Sequence, residues 1–336
     1  IYAMARGFPG TQLLIYIGAF MACYPIFFAV IENDLRRVLA YSMINQLGFM
    51  VCGIGIGTAL ALNGAVAHAF NDVLFKGLLF MSMGAVLYVT GRSKASDLGG
   101  LYRKMPITAT LCIIGALTIS AFPLFSAFVS KSMIMTALLY EGHWVVWLAM
   151  LFASAGVLEH AGIKIPYFAF FAHDAGLEAR EPPLNMLAAM AIAALFCVAI
   201  GSFPGLLYGI LPYTAEYSPY DLTHVLTQLQ LLAFATLGVV WLHRSGRYPA
   251  EVPAVNLDAE WLYRRLFPAL YRWLVKLLSG IASGVTEQLE YWLQKLLAGL
   301  NRVHGPQGTL ARSWPTGSMV LWVAVLLGVY LVLYNL

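Results

Sequence analysis

Apolar runs of about 20 to 30 residues, divided by short polar breaks, follow one another along this chain. They mark eight candidate spans, at 11–31, 38–57, 61–90, 107–140, 143–172, 185–212, 221–242 and 317–336. Inside these runs apolar and polar residues do not alternate with period two, which predicts helices rather than barrel strands. A backbone in hydrocarbon must satisfy its own hydrogen bonds, and a helix does so within each segment. The expected fold is therefore all-α, a polytopic transmembrane helical bundle.

Two stretches depart from a plain span. At ~1.5 Å per residue the 107–140 run would reach ~50 Å against a hydrocarbon core of ~30 Å. Pro123, beside Ala121 and Phe122, predicts a break within it. A broken helix at membrane depth is tolerated only against protein or a hydrated cavity. The other stretch runs from about Glu260 to Asn301, where Leu270, Leu274, Leu277, Ile281, Val285, Leu289, Trp292 and Leu296 recur at helical spacing. Arg272, Lys276, Glu287, Glu290 and Lys295 occupy its other faces, so it reads as an amphipathic helix along the membrane surface. Pro268, Gly280 and Gly284 are candidate kinks. Both a simple interfacial anchor and a strap over neighbouring helices or a partner subunit fit this pattern. The expected division is a bundle at 1–242, a loop with the lateral helix at 243–316, and a last span at 317–336. The chain opens on Ile1, already at a helix end running into Gly7-Phe8-Pro9-Gly10, so a preceding N-terminal part is expected.

Composition strengthens the membrane reading. Of 336 residues 60% are hydrophobic and 11% charged, where a soluble domain carries roughly 25% charged residues. The net charge of +4 reflects topology rather than nucleic-acid binding. With eight spans, sixteen of the twenty Lys and Arg residues fall on one side, Arg6 alone on the other, and three lysines within spans. The rich side is expected to be cytoplasmic, which makes the chain a multi-pass protein of the cell (inner) membrane. Cys23, Cys52, Cys112 and Cys197 lie inside apolar runs without metal-type spacing. No metal or cofactor is expected, and neither HExxH nor GxSxG is present to suggest a membrane enzyme.

Ionisable residues inside spans cost about 2.5–3.5 kcal/mol each on insertion scales and point to function. His68, Asp72 and Lys76 follow one another at i, i+4 and i+8, with Asn71 beside them, so the three share a helix face. Alternating proton donors and acceptors along ~12 Å of low dielectric form a candidate relay. Asp72 and Lys76 could also neutralise each other in a structural ion pair capped by the histidine. Lys131 follows the Pro123 break with no acid within a helical turn; it either carries a proton or snorkels to an interface. In the fifth span His160 and Lys164 are four apart, with Glu159 turned about 100° away. Lys164 lies near the basic-side end, where it marks an exit or snorkels. Gln46 and Asn45 could hydrate a path or serve as packing contacts.

Three stretches, NDLRRVLAYSMINQLGFM (33–50), HAFNDVLFKGLLFMSMGAV (68–86) and FPLFSAFVSKSMIM (122–135), closely resemble a widespread membrane family. It comprises the proton-conducting, antiporter-like subunits of Mrp-type sodium/proton antiporters, respiratory complex I and membrane-bound hydrogenases. GVLEHAGIKIPYF (156–168), YDLTHVLTQLQLL (220–232) and WPTGSMVLWVAVLL (314–327) look most like the D component of Mrp-type antiporters. The resemblance runs nearly end to end. It implies a roughly fourteen-helix fold with two inverted five-helix repeats, of which this chain would hold the second, forming the C-terminal half. It also implies that Lys76 lies on a central hydrophilic axis, Lys131 on the second broken helix near an exit, and His68 one turn further along. Asp72 stands where relatives often carry histidine. The implied partners are the other subunits of a hetero-oligomeric complex, protons, and Na+ or another monovalent cation. A proton-pumping subunit of a redox complex and a non-conducting scaffold subunit remain alternatives.

Overall fold

The structure is a computed structural model that describes residues 1–249, 251, 252, 256, 260–305, 308 and 316–335. Arg312 of the basic set, Trp314 of the last motif and Leu336 at the end of the last predicted span lie outside the described residues, as does the side chain of Ile281.

Residues Ile1–Asn256 form one compact unit. A short α1 (Tyr2–Gly7) precedes α2 (Gln12–Ile31), α3 (Leu35–Ile56) and α4 (Ala59–Thr90). Next come α5 (Pro106–Ile119) and α6 (Ser126–Tyr140), then α7 (Trp144–Phe171), α8 (Leu184–Ser202) and α9 (Leu222–Arg244). Four of the predicted spans in this unit are continuous apolar helices within a few residues of expectation, α8 ends at Ser202, ten residues short of the predicted 212, and α7 keeps its span with a change of helical type. The 107–140 run is the broken pair α5 and α6, interrupted at residues 120–125 around Pro123.

Caps at the helix ends explain the boundaries. Asp34 accepts from the N–H groups of Arg36 and Arg37 at 2.9 and 3.3 Å and starts α3. Gly57 and Gly91, both left-handed, end α3 and α4. Glu181, arriving from the loop before α8, accepts from the Ile107 N–H and the Thr108 hydroxyl at 2.6 Å each and so caps α5. Helices α2 and α3 pack backbone to backbone. A Cβ on Gly48 would fall 2.4 Å from the Ala22 nitrogen, and one on Gly18 2.5 Å from the Cys52 nitrogen.

Cross-links between loops gather the basic residues at one end of this unit. The backbones around Asp34 and Lys94 pair as an isolated antiparallel bridge, Lys104 Nζ donates to the Leu177 carbonyl at 2.6 Å, and Asn256 donates to the Ile31 carbonyl. The opposite end is tied by Asn63, whose side chain exchanges two hydrogen bonds with the Tyr213 backbone. Phe20, Val73, Leu148, Leu195 and Phe234 stand exposed on the outside, the pattern of a lipid-facing surface.

Residues Leu257–Leu336 form the second unit. Its long helix α10 (Phe267–His304) follows a π-helical turn at Leu262–Leu266 and runs unbroken. The expected kinks are absent as helix breaks. Pro268 follows directly on the π-helical turn, and Gly280 and Gly284 continue the helix. The last apolar helix is α11 (Thr316–Tyr334), on which no residue is buried.

Candidate functional site: a buried polar axis through the bundle

Helix α4 lies at the centre of the first unit against α3, α5, α6 and α8. Over its 32 residues it stays regular, so the i, i+4, i+8 spacing holds His68, Asp72 and Lys76 on one inward face, all three buried. That stripe faces the break between α5 and α6.

The break exposes backbone. Ala121 and Leu124 adopt φ of 56° and 74°, a region that side chains with a Cβ rarely occupy, so the surrounding packing must enforce it. Side chains from three helices donate to backbone carbonyls on either side of it. Lys131 Nζ donates to Ile119 O at 3.2 Å, Gln228 Nε2 to Ser120 O at 3.1 Å, and Asn71 Nδ2 to Ser126 O at 2.8 Å. Helix α8 presses on the same place: a Cβ on Gly201 would fall 2.3 Å from Leu124 O.

A directed hydrogen-bond chain fixes the histidine. Asn45 Nδ2 donates to the Ala22 carbonyl, which orients its oxygen toward Gln46 Nε2 at 2.7 Å. Gln46 Oε1 then faces His68 Nε2 at 2.9 Å and can only accept, so that nitrogen carries the proton. His68 Nδ1 is left as the acceptor, and Ser130 Oγ lies 2.9 Å from it. Ser130 also receives Asn71 Nδ2 at 3.1 Å. Asn45 and Gln46, open between hydration and packing in the sequence, thus set the tautomer of His68.

Lys131, one residue past Ser130, is buried rather than snorkelling. Its ammonium lies 4.8 Å from the centre of the Phe49 ring, and that ring is 6.1 Å from His68. Phe49 thus stands between the two groups, a role with no distinctive sequence signal.

Asp72 and Lys76 lie within electrostatic range of each other but do not share a hydrogen bond. Among the described residues, Asp72 Oδ1 and Lys76 Nζ have no hydrogen-bond partner, and neither do Asn71 Oδ1 or the two ring nitrogens of His160. Buried polar atoms in this state are uncommon and costly. His160 is within electrostatic range of Lys76, Lys164 and Lys131, which links the stripe to the fifth span.

That span is not a uniform α-helix. It widens to π-helical turns at Leu158–Ile163 and Tyr167–Phe171, a geometry often found at functional sites. Lys164 is 1% exposed, which corrects the snorkelling expectation. Its Nζ caps the end of α2, donating to the carbonyls of Val30 and Glu32 at 2.6 and 2.8 Å, and pairs with Glu251 at 2.8 Å. Glu159 accepts a 2.5 Å hydrogen bond from the Tyr248 hydroxyl. Tyr248 and Glu251 belong to the segment after α9, and distance along the chain concealed their part in this end of the axis. Burial pushes the Glu251 carboxyl above the usual glutamate range, and the Lys164 ammonium opposes that rise.

Residues 6–156 match the family described as "NADH:quinone oxidoreductase/Mrp antiporter, TM". Over these residues the chain is similar to this antiporter-like membrane family. The matched region contains α2 to α6 and with them His68, Asp72, Lys76 and Lys131. Subunit L of the F(420)H(2) dehydrogenase of Methanosarcina mazei is 33% identical over 222 residues, covering 60% of this chain and 33% of that protein. The Na(+)/H(+) antiporter subunit A1 of Staphylococcus haemolyticus is 29% identical over 273 residues, covering 72% of this chain and 34% of its own. A chain of the Mrp complex from a Dietzia species superposes with a TM-score of 0.63 at 26% identity, over 96% of this chain and 33% of that one. The chain thus spans about a third of the length of these curated relatives. Relatives of the family serve both antiporters and redox complexes.

Proposed function

We propose that this chain conducts protons as one subunit of a multisubunit cation/proton antiporter in the cell membrane, with Na+ or another monovalent cation as the coupled ion. His68, Asp72, Lys76 and Lys131 form its central path, aided by Asn71 and Gln46. Glu159, His160 and Lys164 lie toward the basic end, which faces the cytoplasm by the positive-inside rule.

One observation carries the reading. The buried stripe keeps an ammonium, a carboxylate oxygen and an amide oxygen without protein partners, beside a helix break in the same bundle. A scaffold gains nothing from such atoms, whereas a hydrated path uses them: each can bind water, and each protonation alters the next group's proton affinity. A bundle, a lateral amphipathic helix and a last span are the proposed parts of this chain.

The test is ion-driven pH change in vesicles containing the full complex. Lys76→Met and Lys131→Met, which keep side-chain length and remove charge, should assemble and lose transport. Near wild-type rates in both would make these charges structural.

A second reading, a proton-pumping subunit of a redox-driven complex, is favoured by the similarity to the F(420)H(2) dehydrogenase subunit. The two separate in the same vesicles. A cation gradient drives pH change in the first case, and only an electron donor and acceptor do so in the second.

A further inference from the structure

Helix α9 brings a second titratable group to the end of the axis opposite the basic residues. His224 lies in its first turn, and Asp221 caps it, accepting from the His224 N–H at 2.7 Å. The same carboxylate lies 2.7 Å from His224 Nδ1, while His224 Nε2 is 2.9 Å from the Thr136 hydroxyl on α6. Tyr217 OH meets the same hydroxyl at 3.0 Å. A cavity of about 130 Å³ begins at Lys131 and Ser132 and is walled by Thr136, His224, Thr227 and Gln228. Most of its wall is apolar, formed by residues such as Phe49, Phe128, Leu139 and Trp147. The Lys131 ammonium, the Ser132 and Thr136 hydroxyls, the Gln228 amide and the His224 ring are the polar groups along which water would file. Exposure rises along it: Lys131 is 4% exposed, and the side chains of His224 and Asp221 are 29% and 52% exposed.

We propose that His224 and Asp221 are the outer proton port of this subunit, receiving protons from Lys131 through that cavity. The inference rests on the proton-conducting reading above and adds residues to it. In the resting tautomer Nδ1–H donates to the Asp221 carboxylate and Nε2 accepts from Thr136. A proton leaving the Lys131 ammonium passes through cavity water to Nε2, and the ring becomes imidazolium. The Nδ1 proton then moves to Asp221 and on to bulk water, and exchange with solvent restores the tautomer. One proton enters and one leaves, and Lys131 is left as a neutral amine.

The test uses the full complex in vesicles, with Lys131→Met as a control. His224→Ala should slow ion-driven pH change about a hundredfold, the lower end of the scale for a lost proton-transfer group. Imidazole added on the face bearing the α9 N-terminus should restore the rate, while imidazole on the other face should not. His224→Gln keeps hydrogen-bonding capacity but cannot shuttle a proton, and should be slow even where the alanine variant fails to assemble. Wild-type rates in His224→Gln, with Lys131→Met inactive, overturn the port. So does a slow alanine variant that imidazole fails to rescue, since the histidine then acts as a strut. An active Lys131→Met instead overturns the proton path itself.

Discussion

His68 and Ser130 meet across α4 and α6, Nδ1 to Oγ, at 2.9 Å, and the orientation of that bond is dictated from α2 through Asn45 and Gln46. Ser130→Ala removes the hydroxyl that serves both His68 and Asn71. Leaving a buried acceptor unsatisfied costs about 1–3 kcal/mol. The expected outcome is a lower melting temperature of the solubilised complex together with slower proton transport.

The two path lysines should part company in stability. Lys76 has no hydrogen-bond partner for its buried Nζ, so Lys76→Met breaks no hydrogen bond and should change the melting temperature less than Lys131→Met does. Lys131→Met deprives Ile119 O of its donor and should lower it. Thermal unfolding of both purified variants, alongside their transport rates, checks this difference.

At the basic end, Lys164→Met leaves Glu251 buried without its cation and uncaps α2. Breaking a buried pair from one side costs about 3–5 kcal/mol. Loss of assembled complex, or a large fall in its melting temperature, is the expected result.

Glu251 also gives a pH dependence whose sign follows from its burial. Its carboxyl is raised above the usual glutamate value, so the folded state holds the proton more tightly than the unfolded one. Its contribution to stability is therefore full below the ordinary glutamate range and declines as pH rises through the raised value. Glu251→Gln should flatten that slope in melting temperature measured across the acid range.

Gly201→Ala tests the break from the side of α8. The added methyl would fall 2.3 Å from Leu124 O, against backbone that already holds φ of 74°. Because backbone cannot swing away as a side-chain end can, the helix or the break must move. Reduced yield is expected, along with altered cysteine accessibility near residue 124.

The spans were legible because lipid imposes their length, and the α5–α6 break because one proline interrupts a run too long to be straight. The three-residue stripe on α4 was legible because helical geometry alone puts His68, Asp72 and Lys76 on one face. What those groups touch was not. A shared face did not bring Asp72 and Lys76 into a hydrogen bond, and His68 binds residues from α3 and α6 that no local pattern joins to it. The burial of Lys164 was equally hidden, because its partners are the end of α2 and a glutamate beyond α9. The π-helical turns leave no mark in hydropathy, since widening a helix by one residue per turn keeps its composition. Asp221 and His224 looked like an ordinary capped helix start until α6 was seen against them.

The hydrogen bond from Lys131 to Ile119 O has a consequence for repeated turnover. A charged ammonium offers three N–H donors and a neutral amine still offers two, so the carbonyl at the end of α5 keeps its partner whether or not the proton has left. The bent backbone therefore does not sense the charge passing beside it. Loading and unloading Lys131 can proceed without unlatching α5 from α6, and the scaffold holds one shape through a cycle in which only protons and water rearrange.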